Sequence, residues 1–118
     1  MDAELARHWV AVIRPLLPND ANIEVLPWTG QAGIFFIDRP APIEGRGNRR
    51  SRNVRLYFPD RVITRYLQQA RSDCDKVDGH LADFVRRHVA SIDWNHDEPK
   101  HDPAPGELFV MDLDVLFP

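Results

Sequence analysis

A chain of 118 residues with 43% hydrophobic and 28% charged side chains sits near the globular average, which leaves room for one domain with a real core and excludes wholesale disorder. Its apolar runs, such as Ile34 to Ile37 and Phe109 to Met111, fall far short of the roughly 20 residues a membrane-spanning helix needs. The net charge of −3 hides a strong segregation: residues 1–38 carry −3, 39–71 carry +7, 72–92 carry −1 and 93–118 carry −6.

Leu5, Trp9, Val12, Ile13 and Leu16 recur at helical spacing after Asp2, a natural N-cap, and predict an amphipathic first helix. Pro15 and Pro18 place its end between 14 and 17. Ile23 to Trp28 is rich in β-formers and Ile34 to Ile37 is apolar on both faces. With Gly30-Gln31-Ala32-Gly33 between them they predict a hairpin. Asn53 to Phe58 puts Val54, Leu56 and Phe58 on one face and Arg55 and Tyr57 on the other, a half-buried third strand completing an antiparallel meander. Val62, Ile63, Tyr66, Leu67 and Ala70 predict a helix capped by Asp60. A polar turn over Ser72 to Asp78 separates it from a further helix through Leu81, Phe84, Val85, Val89 and Ile92, with His88 on the same stripe and Asp78 as its cap. Asn95 to Gly106 has three prolines, many charges and no apolar period, and reads as a linker. Phe109, Met111, Leu113, Val115 and Phe117 then alternate with Val110, Asp112, Asp114 and Leu116, which predicts a terminal strand.

The expected fold is therefore α+β, in the order α-β-β-β-α-α-β, with helices on one face of a small antiparallel sheet of three to four strands. Residues 1–92 form the core domain, 93–106 a Pro- and acid-rich linker, and 107–118 a strand docking on or extending the core. The first five elements, up to Ala70, resemble the α-β-β-β-α order of double-stranded RNA-binding domains in topology. Those domains grip phosphates with a lysine cluster at the second helix, and Pro59-Asp60-Arg61-Val62 has none, so no family is assigned. The acidic start Met1-Asp2-Ala3-Glu4 lacks the basic region of a secretory signal, and a lone Cys74 forms no intramolecular disulfide; the expected compartment is the cytosol.

The chemistry-bearing residues concentrate in the basic block. Arg46, Arg49, Arg50, Arg52 and Arg55 fall within the ten residues from 46 to 55, with Gly45 just before them and Gly47 among them. Guanidinium forks match phosphate oxygens, and Tyr57, on the strand face of Arg55, adds a surface for base stacking. This pattern points to nucleic acid or another polyanion; the competing readings are a solvated or intramolecularly paired loop and a site for an acidic protein. The acidic C-terminal segment is a candidate partner for that loop, with Asp112 and Asp114 facing Arg55. A second function class is a protein-interaction module using the Phe109 to Phe117 strand for sheet-edge addition, with Trp94 as a surface anchor.

Catalytic signatures are weak. Gly30-x-x-Gly33 and Gly45-x-Gly47 lack the remaining elements of a phosphate loop, and no Gly-x-Ser-x-Gly turn occurs. His96 and His101 are five apart with Pro99 between them, the wrong spacing for a zinc helix, so the segment reads as solvated. Asp112 and Asp114 on one strand face, with Asp38, form the sole carboxylate constellation that suggests a metal enzyme, the least favoured class. His88 reads as a hydrogen-bonded core or boundary histidine, and Trp9, Trp28 and Trp94 as mostly core. No cofactor is expected.

Overall fold

A computed structural model of the chain describes residues 1–38, 49–50, 53–92, 98–99 and 107–118, with the backbone alone described at 49–50 and 98–99. Helix α1 (Ala3–Ile13) starts at Asp2, whose carboxylate accepts from the Leu5 N–H at 2.9 Å. A 3₁₀ turn over Arg14–Leu16 ends it at Pro15, as the prolines demand. Strands β1 (Asn22–Pro27) and β2 (Gly33–Asp38) form the expected hairpin. Gly30 takes φ +65° in its turn. A side chain there would meet the Asp60 carboxylate, which accepts from the Gln31 N–H at 2.6 Å. Asp60 thus does not cap its own helix: it is the first residue of α2 (Asp60–Leu67), preceded by Pro59, and it clamps the hairpin tip instead.

A two-residue strand, β3 (Arg49–Arg50), precedes β4 (Val54–Phe58), which pairs antiparallel with β2 as the meander requires. Helix α3 (Arg71–Phe84) continues into a π turn over Val85–Val89. No turn interrupts 72–78: Cys74 and Val77 extend the stripe of Leu81 and Val85 backward, and Gly79 lies within the helix. Asp78 is therefore mid-helix rather than a cap. After β5 (Glu98–Pro99), β6 (Glu107–Val110) joins β4 in parallel, so the main sheet is mixed, with order β1-β2-β4-β6. Parallel strands need a long crossover, and the stretch from Pro59 to Gly106, which contains α2 and α3, is long enough to supply one.

The terminal strand is shorter than the alternation predicts. β6 stops at Val110, and α4 (Leu113–Leu116) follows, capped by Asp112, whose carboxylate accepts from the Leu113 N–H at 2.7 Å. Met111 and Leu116 are fully buried, a spacing that strand alternation cannot produce. α4 is pinned to α2 by the Arg61–Asp112 ion pair and by the Arg65 guanidinium 4.5 Å from the centre of the Phe117 ring.

The core lies between the helices and one sheet face. Phe35, Ile37, Val54, Leu56 and Phe58 meet Trp9, Ile13, Val62, Ile63, Leu81 and Val85, all fully buried. Trp9 stacks on Phe58 at 4.8 Å and meets Tyr66 edge-on at 5.0 Å. Around this cluster Asp78 ties three helices together. Its Oδ1 accepts from Trp9 Nε1–H at 3.0 Å and Tyr66 O–H at 2.9 Å, and its Oδ2 lies 2.6 Å from His8 Nε2. Trp9 is core as expected, whereas Trp28 is 57% exposed at the end of the hairpin. His88 is exposed too, its ring 4.6 Å from that of Phe84.

Candidate functional site

Strand alternation and the observed register define a second sheet face, opposite the helices. Leu26, Ile34, Tyr57 and Val110 form one row across β1, β2, β4 and β6; Glu24, Phe36, Arg55 and Leu108 form the next. The described helices pack on the other side. Leu108 and Val110 are 51% and 47% exposed, and Leu26 is 38% exposed. Trp28 adds its ring at the edge of the first row, 6.4 Å from Tyr57 in an edge-on contact.

Arg55 is the one cation in these two rows. Among the described residues its Nε is buried without a hydrogen-bond partner, and so is Oδ1 of Asn53, two residues earlier at the entry to β4 and on the same side by strand alternation. A donor and an acceptor on one strand face are therefore left unsatisfied, a state usually relieved by water or a ligand. Glu24 lies two strands from Arg55, and Asp38, at the far end of β2, accepts from Asn22 Nδ2 at 3.4 Å. These two rows are thus mainly apolar and aromatic, with Arg55, whose Nε lacks a partner, and Glu24 as their charged residues.

Of the residues singled out in the sequence, Arg55 and Tyr57 lie together here. Arg46, Arg52 and Trp94 lie outside the described residues, as does the 96–101 histidine segment. The backbone of Arg49 and Arg50 pairs antiparallel with that of Pro99 and Glu98, so the basic stretch has a neighbour in the acidic block. Asp112 and Asp114 do not face Arg55. Asp112 caps α4 and binds Arg61, and Asp114 is exposed on α4. The alternation that suggested otherwise ends at Val110, and the same change removes the shared strand face on which the Asp38 metal idea depended. The Arg61 guanidinium, by hydrogen bond and charge, holds the Asp112 carboxyl below its ordinary range, so the pair persists until acid pH. Both partners are solvated, and such pairs contribute little.

Trp28, Leu26, Phe36, Leu108 and Val110 were not anticipated as a surface. Period-two parity with Arg55 and Tyr57 would have found Leu108 and Val110 only once β6 was known to pair with β4.

A second polar cluster surrounds Asp78. Beside it a pocket of about 340 Å³ is lined by Leu5, His8, Tyr66, Leu67 and Cys74, among others. Cys74 Sγ is 3.5 Å from the Tyr66 carbonyl, which accounts for it as a helix-packing thiol. Burial, reinforced by the hydrogen bond to Asp78 and its charge, raises the Tyr66 phenol far above its ordinary value of 10.0. The folded state therefore keeps the proton where the unfolded chain releases it. Stability from Tyr66 is complete below about pH 10 and is lost as pH rises toward the folded value. Denaturant melts from pH 8 to 11 should show this alkaline loss in the native chain and a smaller one in Tyr66→Phe. Equal losses would contradict the assignment.

Among the described residues no group of His, Cys, Asp and Glu is arranged to hold a metal ion, and no helix is long and apolar enough to cross a membrane. Comparison with protein-family models, curated proteins and solved structures finds no match, so the geometry alone carries the functional argument.

Proposed function

We propose that this protein is a binding module that takes a single-stranded nucleic acid, or a polyanion with similar flat apolar groups, across the open sheet face. The observation that carries this reading is Arg55, with its Nε unsatisfied, on the same strand face as Tyr57, whose ring meets Trp28. Aromatic rings on an exposed sheet stack bases irrespective of sequence, and a guanidinium between them meets phosphate. β4 also follows directly on the Arg-rich segment, which would extend the phosphate contacts beyond the face. One cation on a mainly apolar surface suits a single strand, whose bases are free to stack, better than a duplex, which presents mainly phosphate.

The test is anisotropy of short labelled single-stranded DNA and RNA at low and moderate salt. Binding should weaken with salt, and Arg55→Gln should reduce the slope of log K against log salt by about 0.7, the value for one phosphate on a single strand. Trp28→Ala should cost about 1–3 kcal/mol, the contribution of one stacked base. Absence of binding at low salt, or wild-type affinity in both variants, would overturn the reading. The exposed aliphatic side chains Leu26, Leu108 and Val110 favour a second reading, a protein partner docked on the same face, which that negative result would leave standing.

A further inference from the structure

β1 is an edge of the main sheet, and its outer side is chemically specific. The Trp28 N–H donates to the Ala32 carbonyl at 3.3 Å, which makes that pair a hydrogen-bonded one. Antiparallel pairs alternate between bonded and non-bonded, so Leu26–Ile34, Glu24–Phe36 and Asn22–Asp38 are bonded as well. Ile23 and Val25 therefore turn their N–H and C=O groups outward, while Pro27 offers only its carbonyl. Their register partners Ile37 and Phe35 belong to the buried face, so the side chains of Ile23 and Val25 point toward the helix layer.

Among the described residues that layer does not close over β1. A groove of about 710 Å³ runs between β1 and α1, floored by Ala3, Ala6, Val10, Val25 and Pro27 and bordered by Arg7 and Arg14. The alanines leave it wide. No acidic side chain lines it among the described residues. Arg14 donates one hydrogen bond to the Ala21 carbonyl at 3.3 Å, and Arg7 has no ion-pair partner among the described residues. Proteins usually blunt an open edge with a covering element. Here the donors and acceptors of Ile23 and Val25 border an apolar trough with two cations along its rim.

We propose that this edge takes an extended peptide segment of a partner protein as a fifth strand, with an apolar side chain in the groove flanked by acidic residues that meet Arg7 and Arg14. The spacing fits: seven residues along a helix span about 10.5 Å, and side chains four apart on one strand face are about 13 Å apart, a difference that flexible arginines absorb. Main-chain hydrogen bonds supply affinity in such additions, and the side-chain pocket supplies selectivity. This site lies on the edge and helix-facing side of β1, so it is independent of ligand binding on the open face.

The experiment uses the full chain, ¹⁵N-labelled, titrated with acetyl-Thr-Glu-Thr-Val-Thr-Glu-Thr-amide up to about 2 mM, a range suited to a weak peptide ligand. The Ile23 and Val25 amides should shift and exchange more slowly with solvent, and the same peptide with lysine for glutamate should bind at least about tenfold more weakly. Arg7→Glu combined with Arg14→Glu should reverse that preference; both residues are exposed, so the variant should fold. Unmoved Ile23 and Val25 amides, or equal binding of the two peptides, would overturn the proposal.

Discussion

Asp78→Ala should lower the unfolding free energy by about 3–4 kcal/mol, out of the roughly 5–15 kcal/mol that a domain of this size has. The carboxylate is the acceptor for the indole N–H of fully buried Trp9 and for the Tyr66 hydroxyl. Alanine leaves both donors without their acceptor in a part-buried site, at about 1–3 kcal/mol each. Two smaller effects oppose the loss. Alanine is the better helix former by up to about 0.7 kcal/mol, and the carboxylate no longer has to be partly desolvated. His8, 46% exposed on its side chain, adds little. Asp78→Asn should be milder, because its carbonyl still accepts from one of the two donors. Guanidinium melts followed by tryptophan fluorescence measure both variants, and a loss under about 1 kcal/mol in Asp78→Ala would show that the two hydrogen bonds do not hold the helices together.

The second large effect is expected at the C-terminus. Leu116→Ala should cost about 2–5 kcal/mol, the usual range for removing a buried leucine side chain, because Leu116 is fully enclosed in the core. Val115→Ala should cost clearly less, since Val115 is only partly buried at its margin. Period-two alternation predicts the reverse order, with Val115 inward alongside Met111 and Leu116 outward. Equilibrium unfolding of the two variants therefore separates strand from helix over 113–116 without a structure determination. A costlier Val115→Ala would restore the strand.

The same contrast explains which parts of the site were legible. Arg55 and Tyr57 were placed correctly because Val54, Leu56 and Phe58 occupy the other parity of one short strand, and that inference needs no distant contact. Trp28 was read as core because a large aromatic side chain usually is. It lies outside the core because the helix layer leaves the hairpin end uncovered, which no local pattern records. Asp78 was read as a helix cap because an Asp before Gly79 looks like a boundary. Its acceptors are taken instead by Trp9, 69 residues earlier, and by Tyr66, 12 residues earlier, and the helix continues through it.

Local chemistry in the sequence by itself determined the mixed α+β content, the Asp2 cap of α1, the β1–β2 hairpin, the two faces of β4 and the segregation of basic and acidic blocks. These depend on the period of apolar residues, on turn-forming glycines and on proline, all of which act within a few residues. Tertiary structure alone decided that β6 runs parallel to β4, that the chain turns from strand to helix at Asp112, and that Arg61 rather than Arg55 takes that carboxylate. Among the described residues it also left one sheet face and the β1 edge uncovered. Such features are set by contacts between residues far apart in the chain, where burial of Met111 and Leu116 outweighs a strand-like alternation whose β preference spans only about 1 kcal/mol.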